Sequence, residues 1–216
     1  TIITLGILLS SVLISAQTII PAGNISGIWS IENSPYLIEG VIWIPEDSCL
    51  TIQAGVYIEF QEHYQVKIKG RLKAVGTELL PIVFTISDTT YFADTTNSTA
   101  GGWDGLCFAD NSTDTSIIEY CDISYAKRFG VESKERTGAA IILDHYNYLI
   151  IKNSNIHHNT CYKKGAGIHI RDYSNAFIEK NHIHHNRTYE SGGGVFSSMR
   201  MFFTEIKFFL FNILVD

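Results

Sequence analysis

Residues 151–170, IKNSNIHHNTCYKKGAGIHI, are followed at 178–197 by IEKNHIHHNRTYESGGGVFS. Laid one over the other, they put Ile151 on Ile178, Ile156 on Ile183, Gly165 on Gly192 and Ile168 on Val195, at a constant offset of 27 without a gap. The two IHHN tetrads coincide. A fixed period of this size marks an architecture of stacked repeats. Apolar residues recur two apart inside runs of about four, and Gly and Asn interrupt every run, so the repeating unit is strand rather than helix.

Alternate side chains of a strand point to opposite faces. Ile168 and Ile170 therefore point inward with His169 and Arg171 outward; Ile178 points in and Glu179 out; Ile183 points in with His182 and His184 out. Three short strands per coil, each giving one or two aliphatics to a shared interior, describe an all-β fold, a single-stranded parallel β-helix. One coil cannot bury its own apolar face, but coils stacked at the inter-strand spacing of ~4.8 Å form a continuous core. Asn159 over Asn186 fits a turn ladder that hands amide hydrogen bonds up the stack.

Residues 1–16, TIITLGILLSSVLISA, are apolar, uncharged and end in small residues, the pattern of a secretory signal peptide cut after Ala16. A buried N-terminal strand is the alternative, and the run is short for a membrane span. The mature chain is therefore expected outside the cell or on its outer surface, with no membrane span. Residues 17–198 read as the β-helix, with a polar loop leaving the stack at about 86–103. SIIEYCDISYA (116–126) matches the later repeats at an offset of 33, so six extra residues lie within KRFGVESKERTG. Residues 199–216 break the pattern: Phe203, Ile206, Leu210 and Ile213 fall at helix spacing, as either a capping element or the misread end of a truncated gene. The four cysteines have no metal-knuckle spacing and read as unpaired small residues or, after export, disulfide partners. With 16 basic against 22 acidic residues the chain is not a nucleic-acid binder. After the leader, roughly 180 residues suffice for about seven coils.

The segment SPYLIEGVIWIPEDSCLTIQAGVYIEFQEHYQVKIKGRLKAVGTELLPIVFT (34–85), GGWDGLCF and the IHHN…GAGI repeats resemble secreted bacterial right-handed parallel β-helix repeat proteins, related in fold to pectate lyases. The resemblance covers about residues 24–198. It implies a right-handed solenoid and leaves activity open, because that family mixes polysaccharide lyases and hydrolases with adhesins.

Enzymes of this fold use clustered carboxylates, Ca²⁺ ligands, or an Arg or Lys as base. The chain has no Asp-Asp pair, and Asp172, beside Arg171 at a strand end, has no acidic partner in register. Asp144 falls under Arg171 and reads as a cross-coil ion pair. Glycoside hydrolysis needs two carboxyl groups facing one sugar, so a non-catalytic glycan-binding or adhesion module is the favoured function, and a lyase or hydrolase the alternative. The candidate glycan contacts are Trp43 and Tyr57, which alternate with inward aliphatics, and Lys67, Lys69, Arg71 and Lys73, which share one outward face if their strand is continuous, together with Arg171 and Asp172. No cofactor is required. Ca²⁺ is the ion that the resemblance suggests, and Zn²⁺ the one suggested by His157 stacked on His184 and His158 on His185, although no carboxylate or thiol aligns to complete that site.

Overall fold

A computed structural model describes residues 17–130, 137–198, 209–211 and 214–215. The leader at 1–16, residues 131–136 of the insertion and most of the tail lie outside the described residues. Every pairing among the described strands is parallel, and the chain winds repeatedly through three sheets. One full coil runs Ile168–Arg171 in the first sheet, Ala176–Glu179 in the second and His182–His184 in the third, before Val195–Ser198 returns to the first. The third sheet has eight strands. The long strands Leu106–Glu119 and Ile141–Lys152 run through from the first sheet to the second.

Inward side chains stack in columns because the register is in phase from coil to coil. Ile123, Ile156 and Ile183 form one column in the third sheet, continued below by Phe84 and Ile58. In the second sheet Ile118, Ile151 and Ile178 lie in register, and in the first Leu106, Ile141, Ile168 and Val195. All are buried except Val195, which is partly covered. Each fully buried aliphatic contributes roughly 1.5–3 kcal/mol, so the columns are the principal source of stability. The stacked pairs expected from the 27-residue offset are all present.

The corners explain why Asn and Gly recur. Between the second and third sheets the chain turns on Tyr120, Asn153 and Lys180, all at left-handed φ of 49–54°. The following residue points inward as a ladder: Ser154 N–H donates to Asn181 Oδ1 at 2.9 Å, and Asn181 Nδ2 donates to the Ile151 carbonyl at 2.9 Å. After the third sheet, Asn159 is fully buried; its Nδ2 reaches Ile123 and His157 carbonyls while Oδ1 accepts from Ala126 N–H. Asn186 repeats the role, accepting from Asn159 N–H and donating to the Ile156 carbonyl. These amides satisfy backbone groups that the corners would otherwise bury unpaired. Gly138, Gly165 and Gly192 share φ of 68–69°, a conformation that other residues reach only with strain.

Two expectations change. Residues 87–102 do leave the stack, but Trp103 belongs to the core: it is fully buried, stacks on Phe60 at 4.2 Å, and its indole N–H donates to the Ser124 carbonyl at 2.7 Å. The excursion is organised around Lys127, also fully buried, whose ammonium donates to the Tyr91, Asp94 and Ala100 carbonyls at 2.8–2.9 Å. Burial lowers its pKa, and the charge of Asp94 opposes that shift. The tail does not depart from the stack in its described parts. Phe209–Phe211 pairs with the second-sheet strand Ala176–Glu179, and Leu214–Val215 with the third-sheet strand His182–His184, so Leu210 lies in a strand. Of the four positions at helix spacing only Leu210 is described; Phe203, Ile206 and Ile213 lie outside the described residues.

Finally, all four cysteines are free thiols. Burial pushes the thiols of Cys121 and Cys161 up, the latter to about 12, which keeps them protonated and unreactive.

Candidate functional site

The outward residues of the first sheet form a column as regular as the core. Trp43, Lys67, Cys107, Ile142, His169 and Phe196 follow one another in register, a line of about 24 Å at one strand spacing per step. At its lower end Trp43 is exposed and Lys67 Nζ lies 4.6 Å from the indole centroid. Lys69 is exposed at the corner that follows. At the upper end a cavity of about 250 Å³ is lined by Lys163, Lys164, His169, Arg171, Glu190 and Ser198. Arg171 donates to Asp144 Oδ2 at 2.8 Å and to Thr137 Oγ1 at 3.3 Å, the cross-coil ion pair expected from the sequence.

His169 differs from its expectation. It does point out of the coil, yet it is only 3 % exposed. Phe196 covers it edge-on at 5.6 Å, and the glycine corners at Gly138 and Gly165 run close past its Cβ. Its Nε2 meets Ser198 Oγ at 3.2 Å, while Nδ1 has no hydrogen-bond partner among the described residues. Burial, with the charges of Arg171, Lys164 and Arg128, lowers its pKa to about 4 against the opposing pull of Asp144. The imidazole is therefore neutral at pH 7, inside a pocket whose charge is predominantly positive.

The other glycan candidates are dispersed. The proposed single face of Lys67, Lys69, Arg71 and Lys73 is broken at Lys69–Gly70, where a Cβ on Gly70 would meet the Pro45 carbonyl oxygen at 2.2 Å and the Ser48 one at 2.3 Å. Lys67 consequently belongs to the first sheet, and Arg71 and Lys73 to the second. Tyr57 is exposed, but in the third sheet, away from Trp43. Asp172 is not isolated from acid: with Asp144 and His145 it forms a group whose ligand atoms all lie within 4.8 Å of one another. Register does not reveal this, because Asp172 and Tyr173 turn through left-handed φ of 36° and 55° and bring the carboxylate back over the preceding coil.

The histidine ladder is present and richer than the repeat suggested. His157 stacks on His184 with centroids 5.1 Å apart, and His158 on His185 at 5.0 Å. Within each rung the two rings face each other through Nδ1, at 2.7 Å for His157–His158 and 2.6 Å for His184–His185. Both side chains lie outward because His158 and His185 adopt φ of 52° and 53°, which ends the strand alternation. A carboxylate does complete the arrangement. Asp122 accepts from His157 Nε2 at 3.0 Å and from Asn155 Nδ2 at 2.9 Å, and Asn155 Oδ1 accepts from His184 Nε2 at 2.9 Å. The signal was available: Asp122, Asn155 and His182 occupy one register position, at offsets of 33 and 27.

These acceptors fix the tautomers. Nε2–H of His157 and His184 is committed to Asp122 and Asn155, so Nδ1 of each carries the lone pair and accepts from the neighbouring ring. Burial disfavours the Asp122 carboxylate, but hydrogen bonds from His157 and Asn155, with the nearby histidine charges, hold its pKa below the usual range. Burial and the neighbouring imidazoles lower the pKa of both His158 and His184.

Among the described residues no helix is long and apolar enough to cross a membrane. No curated protein and no solved structure matches the chain. The family described as the right-handed beta helix region matches residues 83–204, more than half of the 216 residues. With its parallel three-sheet coil and in-phase columns, the chain belongs to the right-handed β-helix family.

Proposed function

We propose that this right-handed β-helix protein is a secreted or cell-surface module that binds an acidic polysaccharide along the outer face of its first sheet, without cleaving it. The observation that carries the reading is the outward column with Trp43 and Lys67 at one end and the basic cavity of Arg171, Lys163 and Lys164 at the other. An exposed indole offers a face for sugar stacking, while cations at the two ends of the column attract carboxylated sugars. The net charge of −6 makes this local excess of positive groups more selective, because the remaining surface repels polyanions.

Binding of a polyuronate, measured by calorimetry against a neutral glucan, tests the reading. Selective binding of the polyuronate that weakens with salt is expected, with at least a tenfold loss in Trp43→Ala/Lys67→Ala and in Lys163→Ala/Lys164→Ala. Equal affinity for the neutral glucan, or no effect of either double variant, contradicts it. The cluster of Asp144, His145 and Asp172 beside Arg171 favours a second reading, a polysaccharide lyase. Ca²⁺-dependent appearance of unsaturated, ultraviolet-absorbing sugar ends would establish that reading instead.

A further inference from the structure

We propose that the histidine ladder on the third sheet is a binding site for a divalent transition-metal cation that prefers right-angled nitrogen coordination, Cu²⁺ or Ni²⁺, one ion per rung at His157/His158 and at His184/His185. The site lies on a different sheet from the glycan face and does not depend on that reading.

Three observations converge on it. First, each rung presents two Nδ1 atoms to one another at 2.6–2.7 Å, close enough for a shared proton and only slightly closer than two nitrogens bound to one metal ion. Two nitrogens bound to one ion at ~2.0–2.1 Å are about 2.9 Å apart at a right angle and about 3.4 Å apart at the tetrahedral angle. The rungs therefore need to open by only a few tenths of an ångström for Cu²⁺ or Ni²⁺, and by about twice as much or more for tetrahedral Zn²⁺. Second, the inner ring of each rung is held as a metal-ligating histidine usually is, its remote N–H donated to an oxygen: His157 to Asp122 and His184 to Asn155. That bond orients the ring and leaves its Nδ1 lone pair aimed at the partner. Third, the outer rings are accessible. His158 and His185 border a cleft of about 130 Å³ that also takes in Phe92, Asn159 and Arg187.

Binding balances without redox chemistry. In the metal-free rung Nδ1–H of His158 donates to Nδ1 of His157. The ion takes both Nδ1 lone pairs, and His158 moves that proton through solvent to its own Nε2, so both rings remain neutral. The rungs are about 5 Å apart by their ring centroids, so one ion cannot reach both at bonding distance, and two adjacent dications repel. The first equivalent should therefore bind at His157/His158, where the Asp122 carboxylate offsets its charge, and the second more weakly at His184/His185.

The test is titration of the tag-free, chelator-treated full chain with Cu²⁺ or Ni²⁺ alone, followed by calorimetry and, for Cu²⁺, by electron paramagnetic resonance. The expected result is one tight and one weaker equivalent, the first showing two imidazole nitrogens. The His158→Gln variant should lose the tight equivalent, and the double variant His158→Gln/His185→Gln both. Asp122→Asn, which leaves every ligand in place, should weaken the first equivalent about 10–100-fold. His63→Gln, at a histidine outside the ladder whose Nδ1 lies 2.7 Å from the Gly102 carbonyl oxygen, should change nothing, and an unaltered β-sheet circular dichroism spectrum shows that each variant is folded. Copper affinity unchanged in the folded double variant, or binding abolished by His63→Gln, overturns the proposal.

Discussion

Protonation of His169 should control the acid stability of this protein. The ring is 3 % exposed and faces Arg171, Lys164 and Arg128, with Asp144 the opposing carboxylate, Lys163 and Glu190 on the cavity wall, and Phe196 above it. Its folded pKa of about 4 lies below the ordinary value of 6.5. The unfolded chain therefore binds this proton more readily. The contribution to stability is complete above pH 6.5 and is lost as pH falls from 6.5 toward 4. A shift of this size corresponds to about 3 kcal/mol in full, of which about 2 kcal/mol is gone by pH 5. The perturbation is His169→Leu, an apolar residue between Ile142 and Phe196 in the same outward column. Urea unfolding of both proteins between pH 7.5 and 4.5 isolates the effect, because every other titrating group appears in both curves. The difference in unfolding free energy should move by about 2–3 kcal/mol in favour of the leucine variant across that range. A pH-independent difference would show that the ring is solvated or titrates normally, and would refute the argument.

Other consequences follow from the columns and the loop. Ile156→Ala, in the middle of the third-sheet column, should cost about 2–5 kcal/mol in urea unfolding, since Ile123 and Ile183 cannot both close the gap. Asn159→Ala should cost several kcal/mol, roughly 1–3 for each buried backbone group left unpaired, whereas Asn186→Ala, at a more open position, should cost less. Lys127→Met should release the 87–102 excursion, read as new protease cuts confined to that segment while the sheet circular dichroism persists.

The coil was legible because its cause is periodic. Ile151 and Ile156 recur 27 residues later and Ile168 returns as Val195, and one in-phase repeat is enough to set inward from outward along every strand. What escaped was whatever the corners decide. The run from Lys67 to Lys73 alternates like one strand, but the close approach of Gly70 to the Pro45 and Ser48 carbonyls divides it between two sheets. Asp172 reaches Asp144 only because the chain reverses through left-handed φ just after Arg171. Asp122 stood one position before an aligned isoleucine, and its contact with His157 was missed because that bond is diagonal, across coils, rather than within one register position. Burial of His169 depends on Phe196 and the glycine corners, a tertiary effect that alternation cannot encode. Trp103 read as loop because its polar, Gly-rich neighbours outweigh one aromatic in any local window, although stacking on Phe60 decides its place.

The central claim is that side chains 27 residues apart lie directly on one another in parallel coils. It is tested most directly by cysteine cross-linking of Lys152→Cys/Glu179→Cys, whose parent side chains form an ion pair at 3.3 Å on adjacent second-sheet strands. In-register neighbours in a sheet have Cα atoms about 4.8 Å apart, within disulfide range, whereas positions two residues out of register are about 7–8 Å apart. Peptide mapping after mild oxidation should find the 152–179 disulfide in high yield and little in a Lys152→Cys/Phe177→Cys control. Efficient linkage of 152 to 177, with none to 179, would contradict the 27-residue register on which the account rests.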